Sequence, residues 1–401
     1  MVNGYRKRGP TRLAPWSVCA NSAMWLQAAL CSLALALVLA ACGDDPTPTA
    51  TSLLSQATPS SFDDYRRLAE EDPAGRDLTF EKAAETLSDE IARDSANVDA
   101  YVKRGAVYTA IYVYSGRPPD RDEDAVEQAV DDFTSAIDLD PSNVKAYIGR
   151  GRAYGLGEER EKADEDYRTA LELLNESIYL DSNDVEAYIH RAKVYSLTRE
   201  PDKAIQDLDA AIRLDPGNSL AYFARASAYL AKREDDKVIE DFGMVILLDP
   251  NFAHSYNTRG SIYARAGQHD KAIEDLDKAI SLNPKYRLAY GNRGSVYGEM
   301  GEYDKAIEDF DKAIEIEPYI AAYANRGRTF RLKGEYDRAI EDLDLAINRL
   351  PNNPQIYFER GLAHSSLGDT LKARSDLNKA LELGYNRDEV EAELKKLDDD
   401  R

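Results

Sequence analysis

Small and apolar residues recur along this chain at helical spacing, in pairs of short segments separated by a turn. Residues 289–318 show the pattern most regularly, because each half has an apolar face with spacings of three and four. Gly301 lies between the halves, where a helix C-cap is needed. Pro318 ends the second half, since proline lacks an N–H and clashes with the preceding turn. The two faces are formed by Tyr290, Gly294 and Tyr297 and by Ala306, Phe310 and Ala313.

The tyrosine that opens this unit occurs eight times. Successive copies are 46, 41, 34, 34, 34, 33 and 34 residues apart. One amphipathic hairpin cannot bury its apolar face alone, whereas a stack of copies can. The pattern therefore predicts an all-α array of eight helical hairpins. The opening tyrosines are Tyr101, Tyr147, Tyr188, Tyr222, Tyr256, Tyr290, Tyr323 and Tyr357.

Several other positions agree when each opening tyrosine is numbered position 4 of its unit. Position 8 is small in Gly105, Gly151, Ala192, Ala226, Gly260, Gly294, Gly327 and Gly361. Position 11 is aromatic in Tyr108, Tyr154, Tyr195, Tyr229, Tyr263, Tyr297 and Phe330, with His364 in the last unit. A helix-ending proline stands at Pro141, Pro216, Pro250, Pro284, Pro318 and Pro351, with Ser182 and Tyr385 in its place elsewhere.

The period and these positions resemble the tetratricopeptide repeat (TPR) family. The resemblance implies a right-handed α-solenoid, a superhelix of antiparallel helix pairs, with a capping helix at the C-terminus. It also implies that partner peptides or helices bind in a concave groove lined by the first helix of each pair. The groove candidates at the corresponding positions are Phe223, Leu230, Asn257, Asn292, Asn325, Arg328, Arg331 and Phe358.

Two charged positions are invariant among the eight units. Position 7 is always arginine and position 23 always aspartate, which predicts a structural Arg–Asp ladder within or between adjacent repeats. The alternative is that the arginines line the groove and hold carboxylates of a partner. The arginines are Arg104, Arg150, Arg191, Arg225, Arg259, Arg293, Arg326 and Arg360. The aspartates are Asp132, Asp166, Asp207, Asp241, Asp275, Asp309, Asp342 and Asp376.

The N-terminus has the order of an export signal. A basic segment precedes an apolar run over residues 25–41, which is short for a membrane span and suits a signal peptide. The run ends in Leu39-Ala40-Ala41-Cys42, which resembles the lipobox of bacterial lipoproteins. That resemblance implies an acylated Cys42 that anchors an exported protein to a bacterial membrane, facing the periplasm or the cell exterior. The alternative is an uncleaved signal anchor.

Composition and spacing divide the chain into five segments. We expect a signal peptide over 1–41, then the lipidated cysteine and a Pro/Ser/Thr-rich disordered tether over 42–76. A degenerate N-terminal repeat or cap follows over 77–96, eight TPR units over 97–385, and a capping helix and tail over 386–401. The first two units are enlarged by about twelve and about seven residues. These insertions are either binding elements or tolerated drift.

Charge and residue spacing exclude several classes of function. The net charge of −22 argues against binding to nucleic acid, which needs a basic surface. The four histidines lie in different repeats without metal-ligand spacing, and all three cysteines precede residue 43. We therefore expect no enzyme activity, no cofactor and no metal.

The sequence thus predicts a membrane-anchored, exported scaffold for protein–protein interaction. An alternative is a structural assembly factor of the cell envelope: pilotin-like, part of outer-membrane assembly, or an adaptor for peptidoglycan enzymes. A third interpretation is an anchored binder of small ligands or glycans, which a deep aromatic-lined pocket would favour.

Overall fold

The structure is a computed structural model that describes residues 76–114 and 123–399. This part of the chain forms eighteen α-helices and no strand, so the predicted all-α fold is confirmed. The helices are α1 (Arg76–Arg93), α2 (Val98–Tyr114), α3 (Glu123–Leu139), α4 (Val144–Leu156), α5 (Arg160–Leu180), α6 (Val185–Leu197), α7 (Pro201–Leu214), α8 (Ser219–Lys232), α9 (Asp235–Leu248), α10 (Ala253–Arg265), α11 (His269–Leu282), α12 (Arg287–Glu299), α13 (Tyr303–Ile316), α14 (Ile320–Lys333), α15 (Tyr336–Arg349), α16 (Pro354–Ser366), α17 (Thr370–Glu382) and α18 (Arg387–Asp399).

These helices belong to two compact units. One ends at Ala289 and the other begins at Tyr290, so that α12 starts in the first and continues in the second. In the N-terminal unit each helix from α1 to α11 packs against the next helix in the chain. The same holds from α13 to α18 in the C-terminal unit. Each unit is therefore a stack of helix pairs in sequence order.

The core of each hairpin is formed by the residues at positions 20, 24 and 27 of the unit, which all lie on its second helix. In α13 these are Ala306, Phe310 and Ala313, all fully buried. The large residue packs onto the small residue at position 8 of the first helix. A β-carbon on Gly327, for example, would lie 2.9 Å from Cγ of Leu343. The small residue is thus required by the close approach of the two helices.

The turns between paired helices use a left-handed residue just before the second helix. In the last four hairpins this residue is glycine, with φ between 71° and 90°. Three earlier hairpins use Glu158, Arg199 and Arg233, with φ of 64°, 62° and 58°. A side chain in this region costs roughly 1–2 kcal/mol, because Cβ approaches the following carbonyl oxygen. The glycine turns are at Gly267, Gly301, Gly334 and Gly368.

The enlarged second unit lengthens a helix. Helix α5 has 21 residues, whereas the regular second helices α7, α9, α11, α13 and α15 have 14. Seven residues are close to two helical turns, so the two ends of α5 keep nearly the same orientation. The inserted part of the first unit that contains Pro118 and Pro119 lies outside the described residues.

Helices also stand at both ends of the described chain. In α1, Phe80 and Leu87 are buried against α2, as the apolar face of this segment predicts. In α18, Val390 and Leu397 are buried and pack with Phe358. The predicted signal peptide, Cys42 and the tether lie outside the described residues. Within the described residues, no helix has the length and apolar character that crossing a membrane requires.

Two glycines of α4 test the packing argument. A β-carbon on Gly149 would lie 2.3 Å from the buried ring of Phe133, whereas one on Gly155 would meet no atom within 4 Å. We expect Gly149→Ala to lower the free energy of unfolding by about 1–3 kcal/mol through overpacking. Gly155→Ala should raise it by about 0.5–1 kcal/mol, because alanine favours the helix. Urea unfolding of both variants measures the difference, and equal effects would contradict the packing.

Candidate functional site

The arginine at position 7 and the aspartate at position 23 form a two-pronged ion pair in each of the eight hairpins. Nε donates to one carboxylate oxygen at 2.7–3.0 Å. Nη2 donates to the other at 2.6–2.8 Å. The two parallel bonds are the strongest geometry available to a guanidinium and a carboxylate. Each pair joins the first helix of a hairpin to its second helix.

Both members of these pairs are largely removed from solvent. The aspartate side chains are 2–7% exposed and the arginine side chains 18–20%. Burial raises the pKa of Asp132 and Asp241 above the ordinary value of 3.8, and the facing arginines oppose this rise. The hydrogen bonds that Arg104 donates to Asp132 in turn raise the pKa of Arg104, which stays charged.

Tyrosines of the same helix hold each guanidinium in place. The Arg225 guanidinium carbon lies 5.6 Å from the ring centre of Tyr222 and 5.9 Å from that of Tyr229. Arg293 has the same relation to Tyr290 and Tyr297. Contacts of a cation with a ring at this distance are attractive. The tyrosines at positions 4 and 11 therefore help to orient the ladder.

A third hydrogen bond extends six of the arginines to the preceding helix. Nη1 donates at 2.5–3.2 Å to a side-chain oxygen that lies fifteen or sixteen residues earlier. One arginine thus links three consecutive helices. In α5 the acceptor Asn175 follows the seven-residue extension, and Asp166 precedes it. The acceptors are Ser88, Thr134, Asn175, Asp209, Asp311 and Asp344.

Replacing Arg225 by leucine tests the ladder. The change leaves the Asp241 carboxylate buried without its counter-ion, which should lower the free energy of unfolding by about 3–5 kcal/mol. Burial raises the pKa of Asp241, so the folded variant takes up a proton at a higher pH than the unfolded chain. The variant should therefore regain stability relative to the wild type as the pH falls from neutral toward the raised pKa of this carboxyl group.

The matched control is the double variant Arg225→Leu, Asp241→Leu, which removes both charges. It should recover most of the stability and lose the pH dependence. Thermal unfolding at several pH values measures both effects. A single variant as stable as the wild type would show that the ion pair contributes nothing.

The predicted groove residues differ in their exposure. Leu230, Asn292, Asn325 and Arg331 are half-buried, so part of each side chain is accessible. The other four are buried, and an approaching partner would meet them only at their edges. They are Phe223, Asn257, Arg328 and Phe358. That any of the eight contacts a partner stays a prediction.

An aromatic cluster surrounds Phe223 in the N-terminal unit. Its ring lies 5.7 Å from those of Phe242, Phe252 and His254, measured between ring centres. Next to it, the Tyr286 hydroxyl lies 3.1 Å from Nδ1 of His254 and accepts a hydrogen bond from Nδ2 of Asn257 at 3.3 Å. Phe252, His254 and Tyr286 were not predicted from the sequence. Phe252 and Tyr286 lie in the turns between hairpins.

Two arginines share one glutamate in the C-terminal unit. Arg331 donates through Nε to Glu359 at 2.7 Å, and Nε of Arg328 lies 3.3 Å from the other oxygen of the same carboxylate. Gln355 also donates to Glu359, at 3.3 Å. Glu359 is buried, so α14 and α16 are joined by a desolvated cluster of charges. Both arginines were predicted as groove residues from the sequence, whereas Glu359, at position 6 of its unit, was not.

An aromatic stack closes the same unit. Phe358 lies parallel to Tyr385, with ring centres 4.2 Å apart. Tyr385 stands where other units have a proline, and the stack gives this replacement a packing role.

Asn325 of α14 donates a long hydrogen bond of 3.4 Å to the Ser295 hydroxyl of α12.

A polar cluster around His190 in the N-terminal unit was not predicted. Nε2 of His190 lies 3.2 Å from Glu186, which also bonds Lys145 at 3.0 Å. Burial lowers the pKa of His190, so the ring is neutral at pH 7. The hydrogen bond from His190 and, after it, Lys145 lower the pKa of Glu186 to about 2. Lys193 and Arg152 are also buried on the first helices of these two hairpins.

These clusters hold aromatic or charged groups in fixed positions, most of them buried. In the described residues, no three side chains of His, Cys, Asp or Glu come together as metal ligands would. No enzyme family is indicated by the comparisons with known proteins.

Family models of tetratricopeptide repeats match five stretches of the sequence. One model described as a tetratricopeptide repeat matches residues 288–319, and a second of that description matches 185–218 and 354–383. A model described as a TPR repeat matches 260–301 and 327–368. These stretches fall in the third hairpin and in the fifth to eighth hairpins. No curated protein matches the sequence.

The chain is similar to several solved structures. The Cut9–Hcn1 hetero-tetramer of the APC/C is 18% identical with a TM-score of 0.54, over 83% of this chain and 64% of that chain. MamA is 31% identical over 39% of this chain and 92% of its own, with a TM-score of 0.37. A repeat protein from Parabacteroides merdae is 20% identical over 64% and 99%, with a TM-score of 0.47. The family models and the paired helices together show that the chain contains tetratricopeptide repeats.

Proposed function

We propose that this protein is an exported, membrane-anchored scaffold that binds peptides or helices of partner proteins on the first helices of its hairpins. The observation that carries the proposal is the Arg–Asp ladder. In six hairpins it fixes the first helix both to its partner helix and to the preceding helix. The groove candidates, at positions 5, 6, 9 and 12 of their units, are therefore held in place before a partner arrives. A surface organised in advance loses less entropy on binding.

The chemistry of the first helices supports a protein partner. The N-terminal unit offers the aromatic cluster around Phe223, with Leu230 half-buried at its side. The C-terminal unit offers Asn292, Asn325 and Arg331, which combine amide groups with a guanidinium. Aromatic and arginine side chains are enriched at protein interfaces. Neighbouring apolar and polar groups of this kind suit an amphipathic peptide or helix.

Binding of a small ligand or a glycan has less support. The described cavity of about 460 Å³ lies in the C-terminal unit, beside the ladder arginine Arg326. Six of its eight lining residues are charged, and Phe330 is its one aromatic residue. Arg338 already covers that ring, 3.9 Å from its centre. Such a cavity lacks the open aromatic surface on which a sugar stacks.

Variants of the accessible groove residues test the scaffold. Leu230→Ala, Asn292→Ala and Asn325→Ala together should reduce partner capture about tenfold, because the loss of roughly 1.4 kcal/mol in binding changes affinity by that factor. Capture by the membrane-anchored protein, followed by cross-linking and mass spectrometry, measures the recovered partners. Leu345→Lys, on the exposed side of a second helix, is the control. Equal recovery by the triple variant and the control would refute the groove.

Replacing Cys42 by serine tests the anchor. Serine has no thiol to accept a diacylglycerol, and two or more acyl chains are needed for stable attachment. The variant should therefore move from the membrane fraction to the soluble fraction after cell lysis. Sedimentation of the variant with membranes would instead support an uncleaved signal anchor.

A further inference from the structure

Each rung of the ladder consists of an arginine, its paired aspartate and a third residue on the preceding helix. In one rung this third residue has no side chain. The residue fifteen or sixteen positions before each ladder arginine carries a hydroxyl, amide or carboxylate group in seven of the eight cases. Before Arg259 this position is Gly243, in the middle of α9. The eight residues are Ser88, Thr134, Asn175, Asp209, Gly243, Asp277, Asp311 and Asp344.

The space left by Gly243 adjoins a guanidinium. Arg259 uses Nε and Nη2 for Asp275, each at 2.7 Å. Its Nη1 would lie 3.7 Å from a β-carbon on residue 243, and no other atom would come within 4 Å of that carbon. In the preceding hairpin the equivalent space holds the Asp209 carboxylate, 2.6 Å from Nη1 of Arg225. A carboxylate in this gap would therefore face Nη1 of Arg259 as the Asp209 carboxylate faces Nη1 of Arg225.

On the C-terminal side of this gap the surface is apolar, whereas the exposed Glu240 lies three residues before Gly243 on its other side. From Phe242 to Leu248, α9 carries no charged residue, although the chain as a whole has a net charge of −22. Leu247 is 70% exposed and Leu248 is 38% exposed. Leu247 lies four residues after Gly243, so the two are neighbours on one face of the helix. The guanidinium of Arg259 on α10 and the exposed Leu247 on α9 thus both adjoin Gly243.

We propose that this open rung, formed by Gly243, Arg259, Leu247 and Leu248, binds a segment of another protein in which a carboxylate is flanked by apolar side chains. The carboxylate would accept the hydrogen bond from Nη1 of Arg259 that Asp209, Asp311 and Asp344 accept in other hairpins. A bond of this kind between charged groups is stronger than a neutral one. The flanking apolar side chains would cover Leu247, whose exposure to water is unfavourable. This surface combines the second helix α9 with Arg259 of the first helix α10, and it includes none of the predicted groove residues.

Synthetic peptides provide the probe. A fluorescent peptide with one aspartate between two pairs of leucines is titrated into the full-length protein in mild detergent, and anisotropy is measured. The same peptide with asparagine is the matched ligand. We expect the aspartate peptide to bind at least tenfold more tightly, because only its charged group completes the rung.

Three variants locate the binding. Gly243→Asp fills the gap from within, so it should raise the melting temperature and weaken peptide binding at least tenfold. Leu247→Lys should weaken binding by a similar factor with an unchanged melting temperature. Gly243→Ala adds only a β-carbon at an ordinary contact distance and should bind within about threefold of the wild type. Leu345→Lys, at a residue 50% exposed on α15, controls for surface charge and should bind like the wild type.

The outcomes separate cleanly. Failure of the aspartate peptide to bind, or equal binding of the asparagine peptide, overturns the proposal. So does unchanged binding by both Gly243→Asp and Leu247→Lys. Weaker binding by Leu345→Lys to the same degree would show a general effect of surface charge and would also overturn it.

Discussion

A carboxylate buried in every hairpin must face a guanidinium, and the arrangement of the helices follows from this requirement. The arginine comes from the first helix, its aspartate from the second, and its third acceptor from the helix before. One side chain therefore sets the relative position of three helices. Apolar packing of alanine, leucine and phenylalanine stabilises the fold, but it is non-directional and leaves the orientation of the helices open. The ion pair supplies direction, because two parallel hydrogen bonds permit only one orientation.

Much of the fold could be predicted from the sequence because its signal is repeated. Eight copies of one apolar pattern identify the helices, and the buried Phe80 and Leu87 show that the same reasoning works for α1. The lengthened α5 was predictable as well, since seven residues are close to two turns. The twelve-residue enlargement was not, because it lacks a period. Its proline pair indicates a loop and no particular path for it.

The site was less accessible to prediction, because exposure depends on neighbours from other hairpins. Their positions in the repeat predict Phe223 and Arg328 as groove residues. The repeat pattern does not predict that Phe252 and His254 pack around Phe223, or that Glu359 lies beside Arg328. Glu359 had a signal that was available: an acid on the first helix next to one that carries two arginines. Comparing residues on successive first helices, rather than within each repeat, would have found it.

The distribution of left-handed turns has a consequence for how the protein comes apart. Repeat arrays open segment by segment, and the order is set by the local free energy of each hairpin and its neighbours. Glu158, Arg199 and Arg233 hold strained turns in the first half, whereas the later hairpins use glycine there without this cost. Opening should thus start among the earlier hairpins and spread toward the C-terminus. The turns thus make the second to fourth hairpins locally less stable than the later ones, although the repeats are nearly identical.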